Sequence, residues 1–159
     1  MLVSAIMPTA DRAAYAPLAL DCFLRQTWTE RELVVIDDGA ESIAGLFAGV
    51  PLVRHTRFTV KSTVGEKRNA GVNFAPGEVV VHWDDDDWSA PDRIEEQVGR
   101  LLASGKAITG YHRILYWDEA RQADAALVAS FAAAGLLLDG WAARFTPWGG
   151  SRCRRALSP

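Results

Sequence analysis

The sequence predicts an α/β fold on a mainly parallel sheet, and three observations carry the prediction. Short aliphatic runs alternate with helix-patterned segments along the chain, the element order of a parallel sheet covered on both faces. The run Leu33–Ile36 is aliphatic without a break, as suits a central strand buried on both sides. Two of the strand-like runs then stop at acids, Asp37-Asp38 and Asp84-Asp85-Asp86-Asp87, and ligands of open α/β sheets bind outside the carboxyl ends of the strands. A length of 159 residues fits one domain.

The elements follow in order. Val3–Met7 is a β-type run closed by Pro8-Thr9. Tyr15–Gln26 carries Leu18, Cys22 and Leu24 at helical spacing. After the Leu33–Ile36 strand, Ser42–Ala48 reads as a short helix and Pro51–His55 as a third strand. Gly65–Phe74 is a helix ended by Ala75-Pro76-Gly77, and Glu78–Trp83 is a fourth strand. Pro91 opens a helix through Ala103, with Asp92 favourable in its first turn. Lys106–Trp117 alternates as a strand does, and the Ala-rich Gln122–Ala134 is helix-prone. Residues 140–159 show no period and are expected to be irregular.

Composition narrows the class. An apolar fraction of 49% supports a buried core, and a net charge of −3 argues against a nucleic-acid binder, which presents a basic face. Cys22 and Cys153 make neither a disulfide framework nor a zinc site, so a reducing compartment is the default. The N-terminus lacks a basic region and reads as a strand, not a signal peptide. The uncharged stretch Ala125–Leu138 is 14 residues, short of the ~20 that span a bilayer. A cytoplasmic protein is expected, with peripheral docking at the inner membrane face left open.

Four adjacent carboxylates at a strand end raise one another's pKa and are costly unless a cation, hydrogen-bond donors or water compensate. Hard divalent ions such as Mg²⁺ or Mn²⁺ are commonly held by one or two carboxylates, with substrate phosphates completing the shell. A solvated acidic turn before Pro91 is the plainer alternative. The flanking Val79-Val80-Val81 and Trp88-Ser-Ala-Pro favour the cation. Asp37-Asp38-Gly39 by itself is as compatible with an ordinary turn, and Lys67-Arg68 either opens a solvated helix or faces phosphate. His82 reads as a packed core residue. Trp83 and Trp88 either pack structurally or line a sugar pocket.

With these residues placed, the chain resembles the family 2 glycosyltransferases with a GT-A fold, a three-layer α/β/α arrangement. The match runs from Leu2 to Trp117. It rests on Val3-Ser-Ala-Ile-Met-Pro-Thr, Leu24-Arg-Gln-Thr-Trp, Glu32-Leu-Val-Val-Ile-Asp-Asp-Gly, Lys67-Arg-Asn-Ala-Gly, Pro76-Gly-Glu and Asp84-Asp-Asp-Asp-Trp followed by Pro91-Asp-Arg-Ile. The resemblance implies a nucleoside-diphosphate-sugar donor, UDP-sugars favoured, whose glycosyl group passes with inversion to a carbohydrate, lipid or protein acceptor. It further implies that Asp38 meets the base, with Pro8 and Thr9 beneath it and Asp11 on the same loop. Asp86 would be a direct ligand of Mn²⁺ or Mg²⁺, Asp84 or Asp85 would contact ribose or the metal's water, with Asp84 as second metal residue, and Lys67 or Arg68 would neutralise phosphate.

The chain departs from the family after Trp117. Members carry a Glu-Asp pair that supplies the acceptor-side base, and here the later acids are Asp118, Glu119, Asp124 and Asp139. Asp139 is the candidate base. The expected organisation is a donor-binding domain over 1–138 and an irregular tail over 139–159, truncated in the acceptor region. A catalytically incomplete nucleotide-sugar-binding module is the alternative of another class. A nucleotidyltransferase would want a Gly-rich loop where Pro8-Thr-Ala-Asp-Arg stands.

Overall fold

The computed structural model describes residues 1–111 and, as backbone, two further strands at 113–118 and 123–128. Four parallel strands, β1 (Val3–Thr9), β2 (Arg31–Asp37), β3 (Val53–Arg57) and β4 (Val79–His82), form one sheet in the order β3-β2-β1-β4. Helices α1 (Ala16–Leu24), α2 (Val64–Phe74) and α3 (Arg93–Ser104) connect or follow them, and a 3₁₀ turn spans Ala44–Phe47.

Alternation along β1 divides the core between two faces. Val3, Ala5 and Met7 pack with Leu33, Val35 and Val81 against Ala19, Cys22 and Phe23 of α1 and Ile94 and Val98 of α3. On the other face Ile6 joins Val34 and Ile36, over which α2 lies. Closeness of that last contact depends on Gly71, where a Cβ would fall 2.3 Å from the Cγ2 of Ile6. Three layers result, as the sequence predicts.

Local chemistry sets the ends of the elements. Thr63 caps α2 in a capping box with Glu66, each side chain meeting the other residue's backbone amide. Arg31 satisfies the last carbonyls of α1, its guanidinium donating to the oxygens of Phe23 and Leu24, and also to that of Trp28 beyond the helix. Gln26 then bridges to α3: its amide donates to the Ala90 carbonyl at 2.7 Å and its oxygen accepts from the Ile94 amide at 3.0 Å.

Several expectations shift. β1 does not stop at Met7 but carries Pro8 and Thr9 in register with Ile36 and Asp37. Proline is tolerated there because the β1–β4 pairing ends at Ile6↔His82, leaving that stretch without a neighbour on one side. His82 is exposed and not a core residue; Trp83, one position on, takes the buried place. The helix expected over 122–134 is replaced over Ala123–Val128 by a strand, β6, pairing antiparallel with β5 (Arg113–Asp118). A partner ladder there overrides the weak helix preference of alanine-rich sequence. Residues 106–111, expected in a strand, are irregular. Among the described residues no helix is long and apolar enough to cross a membrane.

Candidate donor site at the strand ends

Because the four strands are parallel, their carboxyl ends share one rim. The loop after β1 brings Asp11 and Arg12, β2 ends in Asp37 and Asp38, the segment after β3 runs from Phe58 to Ser62, and β4 leads into the four aspartates.

Asp38 lies at the centre of the rim and is almost fully buried. Its Oδ1 accepts from the Lys67 ammonium at 2.7 Å and its Oδ2 from the Ser62 amide at 2.7 Å. Burial by itself would raise this carboxyl. Lys67 and the Ser62 amide outweigh that and hold it below the ordinary carboxylate range. Lys67 donates also to the Thr9 carbonyl at 3.0 Å and is itself buried. Of the two cations expected to meet phosphate, Lys67 is therefore committed to the β1 and β2 ends, while Arg68 turns to the acidic run.

Asp37 anchors the loop that follows it. Its Oδ1 accepts from the Gly39 amide at 2.9 Å, and its Oδ2 faces the Ile43 amide, Arg57 at 2.9 Å and the His55 ring at 3.2 Å. Burial opposes ionisation here too, and these donors reverse it, leaving the pKa lowered. Arg57 also donates to the carbonyls of Gly39, Ala40 and Glu41, so one guanidinium grips the whole turn. Glycine is required at position 39, because a Cβ would fall 2.7 Å from the Asp11 backbone nitrogen.

Asp11 has a left-handed backbone, φ 56°, which aspartate tolerates better than most residues. Its carboxylate accepts from the Ala40 amide and from Lys61 at 3.1 Å, and these hold its pKa down. Beside these loops is an open cleft of about 220 Å³ lined by Arg57, Phe58, Thr59, Val60 and Ser62. The Thr9 hydroxyl is buried at the end of β1 and faces the Asp85 carboxyl.

The four aspartates are not equivalent. Asp85 and Asp87 are buried, whereas Asp84 and Asp86 are half-buried. Burial raises the Asp85 carboxyl, with the charges of Asp86 and Asp84 adding to the effect, and it outweighs the opposing Thr9 hydroxyl and Arg12 charge. Asp84 Oδ1 accepts from Arg68 at 2.8 Å, and Asp86 Oδ2 from Arg12 at 3.0 Å. Trp83 fixes the approach to the run: its indole donates to the Ala19 carbonyl at 3.0 Å, its ring meets Phe23 edge-on, and the Arg93 guanidinium lies 4.9 Å from its centroid. Trp83 is thus structural, while Trp88 is half-buried.

Among the described residues no three carboxylate, imidazole or thiol groups converge to hold a metal ion. The donor set still suits Mg²⁺ or Mn²⁺: two partly exposed carboxylates, each with one oxygen free of hydrogen bonds among the described residues. Arg12 and Arg57 were not singled out in the sequence. Their signal was position, since each is a basic residue at a strand's carboxyl end. Asp139 and the 139–159 tail lie outside the described residues.

Residues 4–151 match the family model described as Glycosyl transferase family 2, so the chain belongs to that family. It is 30% identical over 103 residues to the uncharacterised glycosyltransferase YwdF of Bacillus subtilis, covering 64% of this chain and 38% of that one. It is 33% identical over 93 residues to the succinoglycan biosynthesis protein ExoO of Rhizobium meliloti, covering 57% and 27%. The chain therefore spans well under half the length of these relatives. Staphylococcus aureus TarS 1–349, solved in complex with UDP-GlcNAc, superposes with a TM-score of 0.59 at 20% identity, over 70% of this chain and 38% of that one. The mannosyltransferase PcManGT of Pyrobaculum calidifontis, solved with GDP-Man and Mn²⁺, gives 0.57 at 24% identity, over 75% and 36%. These likenesses establish the GT-A fold.

Proposed function

We propose that this chain forms the donor-binding part of a metal-assisted glycosyltransferase that takes a nucleoside-diphosphate sugar, with uridine the favoured nucleoside, and transfers the sugar with inversion. The observation that carries the reading is the alternation within the acidic run: Asp84 and Asp86 reach the rim while Asp85 and Asp87 are buried, beside a buried Asp38. On this reading the base lies against the loops of Pro8, Thr9, Asp11 and Asp38, and the diphosphate reaches the acidic run and Arg68. Asp86 and Asp84 hold a Mn²⁺ or Mg²⁺ ion, which when bound supplies Lewis-acid stabilisation of the leaving diphosphate. The acceptor hydroxyl's proton goes to a carboxylate base, for which Asp139 is the candidate.

The test is calorimetric titration of the full chain with UDP, GDP and dTDP, with and without Mn²⁺, beside Asp86→Ala. Metal-dependent binding of one nucleotide, lost in the variant, is expected. A folded protein that binds none of the three sinks the assignment.

A further inference from the structure

Arg12 occupies a position that the donor reading leaves unexplained. Its Nη1 donates to Asp86 Oδ2 at 3.0 Å, and its guanidinium carbon lies 5.4 Å from the Tyr15 ring centroid. Arg68 does the same for Asp84. Both rim-facing carboxylates of the run are therefore already matched by a cation, in pairs that remain partly open to solvent.

Two half-neutralised carboxylates make a weak site for a lone divalent ion, the more so because no third acid, imidazole or thiol joins them among the described residues. A diphosphate alters both terms. Its oxygens complete the shell of a hard cation, and its charge offers a guanidinium a stronger, bidentate partner than one carboxylate oxygen.

Resting on the donor-site reading above, we propose that Arg12 is a positioning residue that holds Asp86 against a lone divalent cation and so couples cation binding to nucleoside-diphosphate binding. Arg12 and the cation compete for the same carboxylate. When the diphosphate is present the guanidinium has somewhere better to go, and Asp86 is released. The coupling is reciprocal: whatever factor the diphosphate adds to cation affinity, the cation adds to diphosphate affinity.

The test uses the full chain and Mn²⁺ alone, with free ion followed by electron paramagnetic resonance, on wild type, Arg12→Gln and Arg12→Lys. Arg25→Gln serves as a control, removing the same charge from the surface pair with Asp21. Loss of an exposed ion pair and of a nearby positive charge is expected to tighten Mn²⁺ binding in Arg12→Gln by about 5-fold. Arg12→Lys and Arg25→Gln are expected to stay near wild type. Titration with UDP and GDP should then show the enhancement by Mn²⁺ shrinking by a similar factor in Arg12→Gln. The sign is the discriminating feature, because mere structural damage weakens Mn²⁺ binding. Unchanged or weaker Mn²⁺ binding in Arg12→Gln, with nucleotide binding by wild type still metal-dependent, overturns the coupling role alone. A wild type that binds neither UDP nor GDP at any Mn²⁺ concentration overturns the donor site and this proposal with it.

Discussion

Replacing Lys67 by methionine keeps the length and apolar stem of the side chain and removes the charge that neutralises Asp38. The pair is 2.7 Å apart with both side chains nearly sealed from water. Removing one partner of a fully buried ion pair costs about 3–5 kcal/mol, because the other charge stays behind uncompensated. Asp38 can instead take up a proton, which at pH 7 costs about 4 kcal/mol for a carboxyl with an ordinary pKa near 3.9; that caps the loss. Asp38 keeps the Ser62 amide on Oδ2 and lies just beneath a solvated rim, so the lower end applies, about 3 kcal/mol. For a chain of this size that corresponds to a fall in Tm of roughly 6–12 °C.

Urea unfolding of Lys67→Met against wild type measures the loss, and pH identifies its origin. A stranded carboxylate is relieved by protonation, so the deficit should be largest near pH 7 and shrink towards about pH 4. The double variant Lys67→Met/Asp38→Asn should recover at least half of it. A deficit below about 1 kcal/mol, or one that is the same at both pH values, would refute the charge argument and leave only lost packing.

Two further outcomes follow from the same structure. Asp37 and Asp38 are both held below the ordinary carboxylate range, so each contributes stability that is present above about pH 4 and is lost as pH falls through the lower folded-state values; urea midpoints of wild type at pH 7, 4 and 3 should drop across the last two. Gly71→Ala sets a methyl 2.3 Å from Ile6 Cγ2 and should destabilise by about 1–3 kcal/mol through overpacking, read as a lower urea midpoint with an unchanged slope.

The sheet and its rim were legible for a physical reason. Strands buried on both faces favour unbroken aliphatic runs, and Leu33–Ile36 is one; Val79-Val80-Val81 reads the same way although β4 ends the described sheet and Val80 is exposed. Acids at strand ends were equally plain, since charge clusters stand out against such runs. What the sequence did not reveal was partnership. Nothing local says that Lys67 would choose Asp38 and Arg68 would choose Asp84, because those pairings join residues 29 and 16 positions apart. Arg57 was hidden for the same reason: its work is on carbonyls of a loop 16 to 18 residues earlier. The strand at Ala123–Val128 was misread because alanine-rich sequence carries a helical preference and no visible trace of the ladder it joins.

The loops at the rim are stitched to one another more than to themselves. Asp11 holds Ala40 and Lys61, Asp38 holds Ser62 and Lys67, and Arg57 grips the turn from Gly39 to Glu41. Such cross-bracing removes modularity. Grafting any one of these three loops from a relative would import side chains whose partners stayed in the parent, stranding a buried carboxylate or leaving a backbone amide without its acceptor. Recombination at this rim should therefore succeed only when residues 9–12, 37–43 and 57–63 travel together, so that a change of preferred ligand has to arrive as a block and not one segment at a time.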